Sequence, residues 1–490
     1  DTLTGNYPLG SDTAFAFTPT ANLSGYGEYR LWIYSEVPGD TIPSNDTIGF
    51  YYIEHREPVT TFPYILDFDG PTTTPGNGTS GNAGVTGTDD WERIPDPANG
   101  GFAFHVMEGK TPSAGTGPRF DYSLQGNYIY TEGNYGSAPV SAVFASKCIS
   151  LVGMTNPSIE FMYHMFGADI GAIALQIVPA NSNTWINPPG GSISLTADKH
   201  TSSIEDWKYW KVDLSTWAGQ VIKIRFIGQK TGNGSAADIG IDDIRIYNRI
   251  ATDVGILSVI NPPQRIDTTN PAAPQFVIHN FGTSSVNNIP IIYTITPTCG
   301  PNAGIPVTYN ATYAGTIPSG QSVTYTIPAS AMPVYPVGTF DFCVTTNKSG
   351  DTHAFNNEYC KPSVGWPKQF IQNGFSENFD NCNAGNTSGF WHRGDYRTFD
   401  VGSKGVWSSS PNAYGTHAFP YNSYPSTNEY LHAPQFQGFD TIVGAQLWFR
   451  HKFQFGSGDV GVVEAQFGAS WTTLGFQDPD DEIGINWYNG

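Results

Sequence analysis

The sequence predicts an all-β protein built from tandem β-sandwiches, and three observations lead to this class. The 490 residues include 55 Gly and 36 Pro, which leave little room for long helices. Short apolar runs alternate with period two and are separated by turn residues at the spacing of two-sheet sandwiches. An internal repeat shows that the chain uses the same units twice.

The repeat fixes the expected domain organisation. GEYRLWIYSEVPGDTIPSND begins at Gly27 and GTFDFCVTTNKSGDTHAFNN begins at Gly338, an offset of 311 without a gap. His164 aligns with His451 at the smaller offset of 287, so the second copy has lost a loop. The first and last domains lack strands that their counterparts contain, so we expect a section of a longer array. The expected domains are 1–60 (partial), 61–250, 251–365 and 366–490 (partial).

The 251–365 domain has five clear strand candidates with period-two alternation, and a turn follows each of them. They are VGILSV (254–259), QFVIHN (275–280), IPIIYTI (289–295), SVTYTIP (322–328) and TFDFCVTT (339–346). FVIHNFGTSSVNNIPIIYTI resembles the CARDB-like immunoglobulin sandwiches of bacterial surface proteins. The resemblance implies an immunoglobulin-like spacer or adhesion module with no known catalysis.

The 61–250 domain carries a second resemblance. ILDFDG opens it, DDW and PSIEFMYHMFGADIGAIALQI follow, and DIGIDDIRI closes it. This order resembles a MAM-type jelly roll, although the usual MAM cysteines are absent, which favours a bacterial relative. The predicted fold is therefore MAM-like jelly rolls alternating with immunoglobulin-like domains.

The closing strand holds three aspartates in an Ile-rich run. Ile239 and Ile241 share one parity while Ile244 and Ile246 share the other. A regular strand cannot bury both pairs on one face, so we predict a β-bulge at Asp242–Asp243. A carboxylate that the bulge turns inward needs a cation or several hydrogen bonds.

The resemblance supplies candidate metal ligands, because the first and last strands of such a jelly roll are neighbours. Asp67 and Asp69 then approach Asp243, and Asp90 arrives from the next loop. MAM-like domains carry a cation near these positions, and oxygen ligands suit calcium. A bound Ca²⁺ and a hydrogen-bonded turn lock without metal both stay open, whereas a catalytic carboxylate pair is disfavoured because the motifs imply no cleft. In the second copy Asp67 becomes Asn378 while Asp69 is kept as Asp380, and the loss of one charge predicts a weaker counterpart site.

Charge and cysteines limit the partners and the compartment. The net charge of -20 repels phosphate, so nucleic acid and anionic lipid are poor partners. No apolar run approaches the roughly 18 residues of a membrane span, so we expect no membrane insertion. None of the five cysteines forms a C-x-x-C pair, while Cys343 and Cys360 fall in neighbouring predicted strands and can form a disulfide.

The recurring histidine and the tryptophans each allow a structural and a functional interpretation. His164 recurs as His451 in an aromatic and apolar setting, which favours a core histidine over a metal ligand. Trp185 recurs as Trp471 and either packs a turn or forms a platform for a sugar. A carbohydrate-binding face requires an exposed aromatic row, for which Trp207, Trp210 and Trp217 are the candidates.

These features favour a structural or adhesive role over an enzyme, since no catalytic motif is present. The chain resembles a segment of the giant surface adhesins or fibre proteins of gliding bacteria that use type IX secretion. That implies an extracellular or cell-surface location, with other copies or segments of the same protein as partners and cell-surface or glycan ligands. Oligomers or fibres are then expected. The alternatives are lectin-like carbohydrate-binding modules, or an accessory region of a secreted hydrolase.

Overall fold

The structure, a computed structural model, describes residues 22–366 with short gaps, together with isolated stretches on either side. The gaps are 24, 43, 45, 80, 114, 125, 194–198, 204, 264 and 299–301. The further described residues are 8, 14, 16, 369–370, 392–393, 431–432, 436–437, 461–467, 470–478 and 481–485.

The described residues form strands, turns and four single-turn 3-10 helices, and no α-helix is found among them. The all-β class is thereby confirmed. The 3-10 helices are Pro97–Asn99, Ser215–Trp217, Ala329–Ala331 and Ala354–Asn356. The chain divides into two compact units, Asp1–Gln369 with Ser376–Gln435 and Phe370–Phe375 with Phe436–Gly490.

The first unit opens with a two-stranded hairpin, β1 (Gly27–Tyr34) and β2 (Thr47–His55). The first sandwich follows and contains fourteen strands. They are β3 (Tyr64–Leu66), β4 (Thr73–Thr74), β5 (Val85–Thr86), β6 (Trp91–Ile94), β7 (Phe104–Glu108), β8 (Asn127–Thr131), β9 (Val140–Ser146), β10 (Ile149–Ser150), β11 (Pro157–Met165), β12 (Ile170–Pro179), β13 (Ser192–Ile193), β14 (Lys208–Asp213), β15 (Val221–Lys230) and β16 (Ile239–Asn248).

Two six-stranded sheets build the first sandwich. One has the order β13-β12-β15-β9-β6 with β10 beside β15, and the other has the order β14-β11-β16-β8-β7 with β3 beside β16. Their inner faces enclose one apolar core, in which Phe144 from the first sheet meets Phe104 from the second. The opening strand β3 pairs with the closing strand β16, as the sequence predicted.

Strand β11 differs from an ordinary sandwich strand because all nine of its residues are buried. Alternate residues such as Ile159 and Phe161 face the core. The residues between them, including Glu160 and His164, must therefore be covered on the outer face of the sheet. This second buried face is where the candidate site lies.

The second sandwich follows after five linking residues and contains eight strands. They are β17 (Val254–Asn261), β18 (Arg265–Asp267), β19 (Gln275–Asn280), β20 (Val286–Pro297), β21 (Val307–Ile317), β22 (Ser322–Thr326), β23 (Gly338–Thr346) and β24 (Glu358–Trp366). The sheet orders are β17-β19-β22 and β18-β24-β23-β20-β21. A disulfide joins Cys343 to Cys360 across β23 and β24, which confirms the predicted pairing.

The rest of the described chain consists of short strands. They are β25 (Gln369–Phe370), β26 (His392–Arg393), β27 (Leu431–His432), β28 (Phe436–Gln437), β29 (Gly461–Phe467), β30 (Ser470–Asp478) and β31 (Asp481–Ile485). Strands β29, β30 and β31 form one antiparallel sheet in the second unit.

Candidate functional site

The predicted bulge is present in the closing strand. Glu160 of β11 pairs with Arg245 of β16, and Met162 pairs with Asp242, so Asp243 and Ile244 together lie opposite the single residue between. Asp243 has a φ of 50°, in the left-handed region that Asp tolerates better than most residues. Because the bulge shifts the parity, all four isoleucines of the strand lie in the same core, namely Ile239, Ile241, Ile244 and Ile246.

The bulge turns Asp243 toward Arg245. Arg245 Nη2 lies 2.6 Å from Asp243 Oδ2, and Arg245 Nε donates to Oδ1 at 3.0 Å. Burial raises the pKa of Asp243, and the Arg245 charge opposes this effect. The charge of Asp243 is therefore compensated by a bidentate arginine of the same strand.

The other two aspartates of the strand bind backbone amides. Asp242 accepts from Tyr122 N at 2.9 Å and from Asp243 N at 2.7 Å, and burial raises its pKa well above the usual value. Asp238 accepts from Gly133 N at 2.8 Å. Asp242 thus connects β16 to the loop that contains Tyr122, and Asp238 connects the start of β16 to the loop that contains Gly133.

Asp67 and Asp69 lie just beyond β3, near the bulge. Asp67 Oδ1 accepts from Asp69 N at 3.1 Å, and Asp69 Oδ1 accepts from Asn127 N at 2.7 Å. Burial, followed by the negative charges of Asp121, Asp67 and Asp243, raises the pKa of Asp69 to about 6. The junction of the first and last strands therefore carries an excess of negative charge, and Arg245 compensates only part of it.

The structure places Asp90 elsewhere, which corrects the expected grouping. Asp90 immediately precedes β6 in the opposite sheet, and its carboxylate lies 2.7 Å from Lys147 Nζ. The loop that leads into β6 takes Asp90 toward β9 rather than toward the bulge, because the backbone of Lys147 donates to Asp90 O. Asp380 lies outside the described residues.

Donor chemistry and geometry give different answers for calcium. Asp67, Asp69, Asp121 and Asp243 supply the oxygen donors that calcium prefers, in a region of excess negative charge. Within the described ranges, however, no group of three or more His, Cys, Asp or Glu side chains is arranged to hold a metal ion. The observed partners of these carboxylates are backbone amides, the Ser123 hydroxyl and Arg245, so calcium stays a prediction.

A buried carboxylate that the sequence analysis missed lies on the outer face of β11. Glu160 is only 2% exposed, and its Oε2 accepts from Tyr209 OH at 2.7 Å and from Tyr247 OH at 3.0 Å. Its Oε1 lies 3.9 Å from Arg245 Nη1. Burial raises the pKa of Glu160 to about 7, although Arg245 and both tyrosines favour the charged form. A lone charged residue inside PSIEFMYHM was the signal that could have revealed it.

The residues around Glu160 contact the second sandwich. The Tyr209 ring lies 5.0 Å from His279 and 5.7 Å from Phe281, and the Tyr247 ring lies 5.2 Å from Phe355, measured between centroids. The Arg245 guanidinium lies 5.5 Å from the Phe355 centroid. We call Glu160, Tyr209, Arg245 and Tyr247 with these aromatic partners the clasp.

Both ends of the linker between the sandwiches are also anchored. Arg249 Nε donates to Phe281 O at 2.7 Å, and Arg249 Nη2 donates to Gly282 O. At the other end the fully buried Asp253 accepts from Asn356 Nδ2 at 2.8 Å and lies 2.6 Å from His353 Nδ1. The five residues between β16 and β17 therefore begin and end in contacts with the second sandwich.

A third contact comes from the loop before β8. Tyr122 OH donates to Leu257 O, and Tyr359 OH donates to Tyr122 O at 3.1 Å. The same Tyr122 is held by Asp242 through its backbone amide. One aspartate of the closing strand therefore positions a side chain that binds the next sandwich.

The remaining predictions about aromatic residues have different outcomes. His164 is fully buried on the outer face of β11 and stacks on His200 with centroids 3.9 Å apart, which confirms a buried histidine outside the apolar core. The exposed aromatic row that a carbohydrate-binding face requires is not formed by Trp207 and Trp217. Trp217 lies in the core, and Trp207 packs beside Tyr128 while donating to Phe120 O at 2.8 Å. Trp217 ends a 3-10 helix and Trp207 precedes β14, and because both rings are packed against other residues they form no exposed row.

Comparison with known proteins identifies part of the first sandwich. Residues 91–250 match the family model of the MAM domain, meprin/A5/mu. The match covers the stretch from β6 to the linker, including β11, the bulge and every first-sandwich residue of the clasp.

Solved structures give more distant likenesses. The K1 cleaved adhesin domain of Lys-gingipain from Porphyromonas gingivalis W83 is 13% identical, with 39% of this chain and 99% of that chain covered and a TM-score of 0.25. TmCBM61 in complex with β-1,4-galactotriose is 15% identical, with 33% and 90% covered and a TM-score of 0.21. A Bacteroides uniformis β-glucuronidase 2 is 10% identical, with 57% and 33% covered and a TM-score of 0.27.

The described residues also bear on membrane association. None of them belongs to a helix with the length and hydropathy that a membrane span requires.

Proposed function

We propose that the two sandwiches act as one stiff, non-catalytic adhesive or spacer unit of a secreted surface protein. The observation that carries the proposal is the clasp. Glu160 binds two tyrosines and faces Arg245, and these three residues contact His279, Phe281 and Phe355 of the next sandwich. A buried network of hydrogen bonds and ring contacts that spans both sandwiches favours one relative orientation of the two, although Glu160 Oε1 accepts no hydrogen bond.

The linker supports stiffness independently of the clasp. Five residues separate β16 from β17, and contacts at Arg249 and Asp253 hold both ends. A chain so short and so anchored has little freedom to act as a hinge. Stiff units in series suit a molecule that projects an adhesive surface away from a cell.

The chemistry of the acids favours a mechanical role over catalysis. Asp243 binds Arg245, Asp242 binds two amides, and Glu160 binds two tyrosines. Asp242 and Glu160 each join two segments of the fold, and Asp243 compensates the charge of Arg245 within its own strand. A general acid or base instead needs free reach to a substrate.

Location, context and partners extend the proposal. The Cys343–Cys360 disulfide and the net charge of -20 are typical of an extracellular protein. In this proposal the chain is part of a giant type IX-secreted adhesin or fibre protein of the kind found in gliding bacteria. Its partners are further copies or segments of the same protein and ligands on cell surfaces, and calcium adds to the brace at Asp67 and Asp69.

Limited proteolysis tests the stiff unit. Trypsin cleaves after Arg249 only if the linker leaves its contacts, so we expect the native chain to resist cleavage there. Tyr209→Ala removes a clasp ring and should expose the site, whereas Tyr313→Ala, far from the linker on β21, should not. Mass spectrometry identifies the fragments. Rapid cleavage after Arg249 in the native chain, leaving two folded sandwiches, would contradict the proposal.

A further inference from the structure

A polar and aromatic patch lies on the outer face of the first sandwich, away from the clasp. Arg225 of β15 lies directly opposite Gln176 of β12, and its Nε donates to Gln176 Oε1 at 2.8 Å. Gln176 Nε2 in turn donates to Asn187 Oδ1 at 2.8 Å. The Arg225 guanidinium carbon lies 4.1 Å from the centroid of the half-buried Trp185 ring. We call these four residues the Trp185 patch.

The patch carries positive charge that the neighbouring protein does not neutralise. Arg225 donates to a neutral amide oxygen, and it has no ion pair within the described part of the chain. Exposed Lys223 precedes it by two positions on β15 and therefore projects from the same face. In a chain with a net charge of -20, an unneutralised cationic spot of this kind attracts anions selectively.

The second copy of the repeat keeps the same pair of residue types. Gln176 corresponds to Gln466 and Trp185 to Trp471, although the loop between them is shorter in the second copy. Gln466 and Trp471 are direct partners across β29 and β30. The same two residue types therefore recur in both copies of the repeat.

We propose that the Trp185 patch binds an acidic saccharide, with a uronate residue as the recognised group. The indole face that Arg225 does not cover supplies an apolar surface for the C–H face of the sugar, and the edge of the Arg225 guanidinium that Gln176 leaves free binds the carboxylate. Gln176 and Asn187 lie beside Arg225 and bring amide groups that can bond sugar hydroxyls. Arg225 stacked on Trp185 is already ordered, so little entropy is lost when the ligand binds.

The inference goes beyond the proposed stiff unit and does not depend on it. An acidic peptide matches the positive charge but makes no specific use of the indole. The stacked pair of ring and guanidinium therefore favours a sugar, which presents a flat C–H face and a carboxylate together.

Isothermal titration of the full chain with trigalacturonate tests the proposal, with its methyl ester and triglutamate as controls. The chain carries Trp471→Ala so that the second copy does not contribute. We expect binding of trigalacturonate alone, and an approximately ten- to hundredfold weaker affinity in Arg225→Gln, since a hydrogen bond to a charged group is lost. Trp185→Ala should weaken binding and Trp185→Phe should restore part of it.

Three results would overturn the proposal. They are no binding of trigalacturonate, equal binding of its methyl ester, or equal binding of triglutamate. Lys147→Met serves as the matched control, because it removes a positive charge near β9 outside the patch and should leave the affinity unchanged. Circular dichroism and the melting temperature of each variant establish that the fold is retained, and unchanged affinity in a folded Arg225→Gln variant also rejects the site.

Discussion

Replacing Arg245 by Met removes the cation that Asp243 and Glu160 both face. Arg245 makes contacts of 2.6 and 3.0 Å with Asp243 and lies 3.9 Å from Glu160. The Asp243 side chain is 10% exposed and that of Arg245 is 17% exposed, so the pair is largely shielded from water. Leaving such a charge unpaired costs about 3–5 kcal/mol. We expect Arg245→Met to lower the free energy of unfolding by about that amount at pH 8.

A more exposed ion pair provides the control. Lys147 and Asp90 also form an ion pair, but their side chains are 22% and 26% exposed. Lys147→Met should therefore cost less than about 1 kcal/mol. The double variant Arg245→Met with Asp243→Asn should recover much of the loss, because Asn is neutral and tolerates the left-handed backbone at this position.

Urea unfolding followed by circular dichroism measures the four proteins under the same conditions. The reasoning is refuted if Arg245→Met costs no more than Lys147→Met. It is also refuted if the double variant is as unstable as the single variant. In either case the buried arginine does not fasten the bulge.

Two further predictions concern protons and calcium. Burial raises the pKa of Glu160 from 4.5 to about 7, so the folded chain holds this proton more tightly than the unfolded chain. The stability that this proton contributes is complete below pH 4.5 and is lost as the pH rises to 7. The urea concentration at the unfolding midpoint should therefore fall between pH 4.5 and 7, and it should fall less in Glu160→Gln. An equal fall in both proteins would show that Glu160 is not the titrating group. If calcium binds at Asp69 with the affinity of extracellular modules, 10 mM CaCl₂ should stabilise the protein by about 1–3 kcal/mol relative to EDTA. Asp69→Ala should remove that gain, and identical melting curves in CaCl₂ and EDTA would remove calcium from the account.

Local pattern was sufficient to predict much of the fold. The alternation in 275–280 predicted β19, and that in 339–346 predicted β23 within one residue. The parity change between Ile241 and Ile244 predicted the bulge, because a strand that buries both isoleucines on one face needs an extra residue between them. Strand β21 was missed, since most of its residues alternate between exposed and half-buried and give no apolar signal.

The candidate site depended on contacts that a local pattern does not contain. Arg245 follows Asp243 by two positions, a visible signal that the calcium hypothesis did not use. Asp90 was assigned to the wrong neighbours because the path of the loop before β6 is set by its packing against β9. Glu160 contacts Tyr209 and Tyr247 only after β11, β14 and β16 align. The aromatic residues that pack against these tyrosines come from the other sandwich. Such docking surfaces join residues about a hundred positions apart.

The most direct measurement of the central claim is the distance distribution between spin labels on the two sandwiches. Lys223→Cys and Val307→Cys place labels at exposed positions of β15 and β21, with Cys148, Cys299 and Cys382 replaced by Ser. Double electron–electron resonance on the full chain should give one narrow distribution, which broadens when Tyr209→Ala opens the clasp. A broad distribution in the chain with an intact clasp would contradict the account.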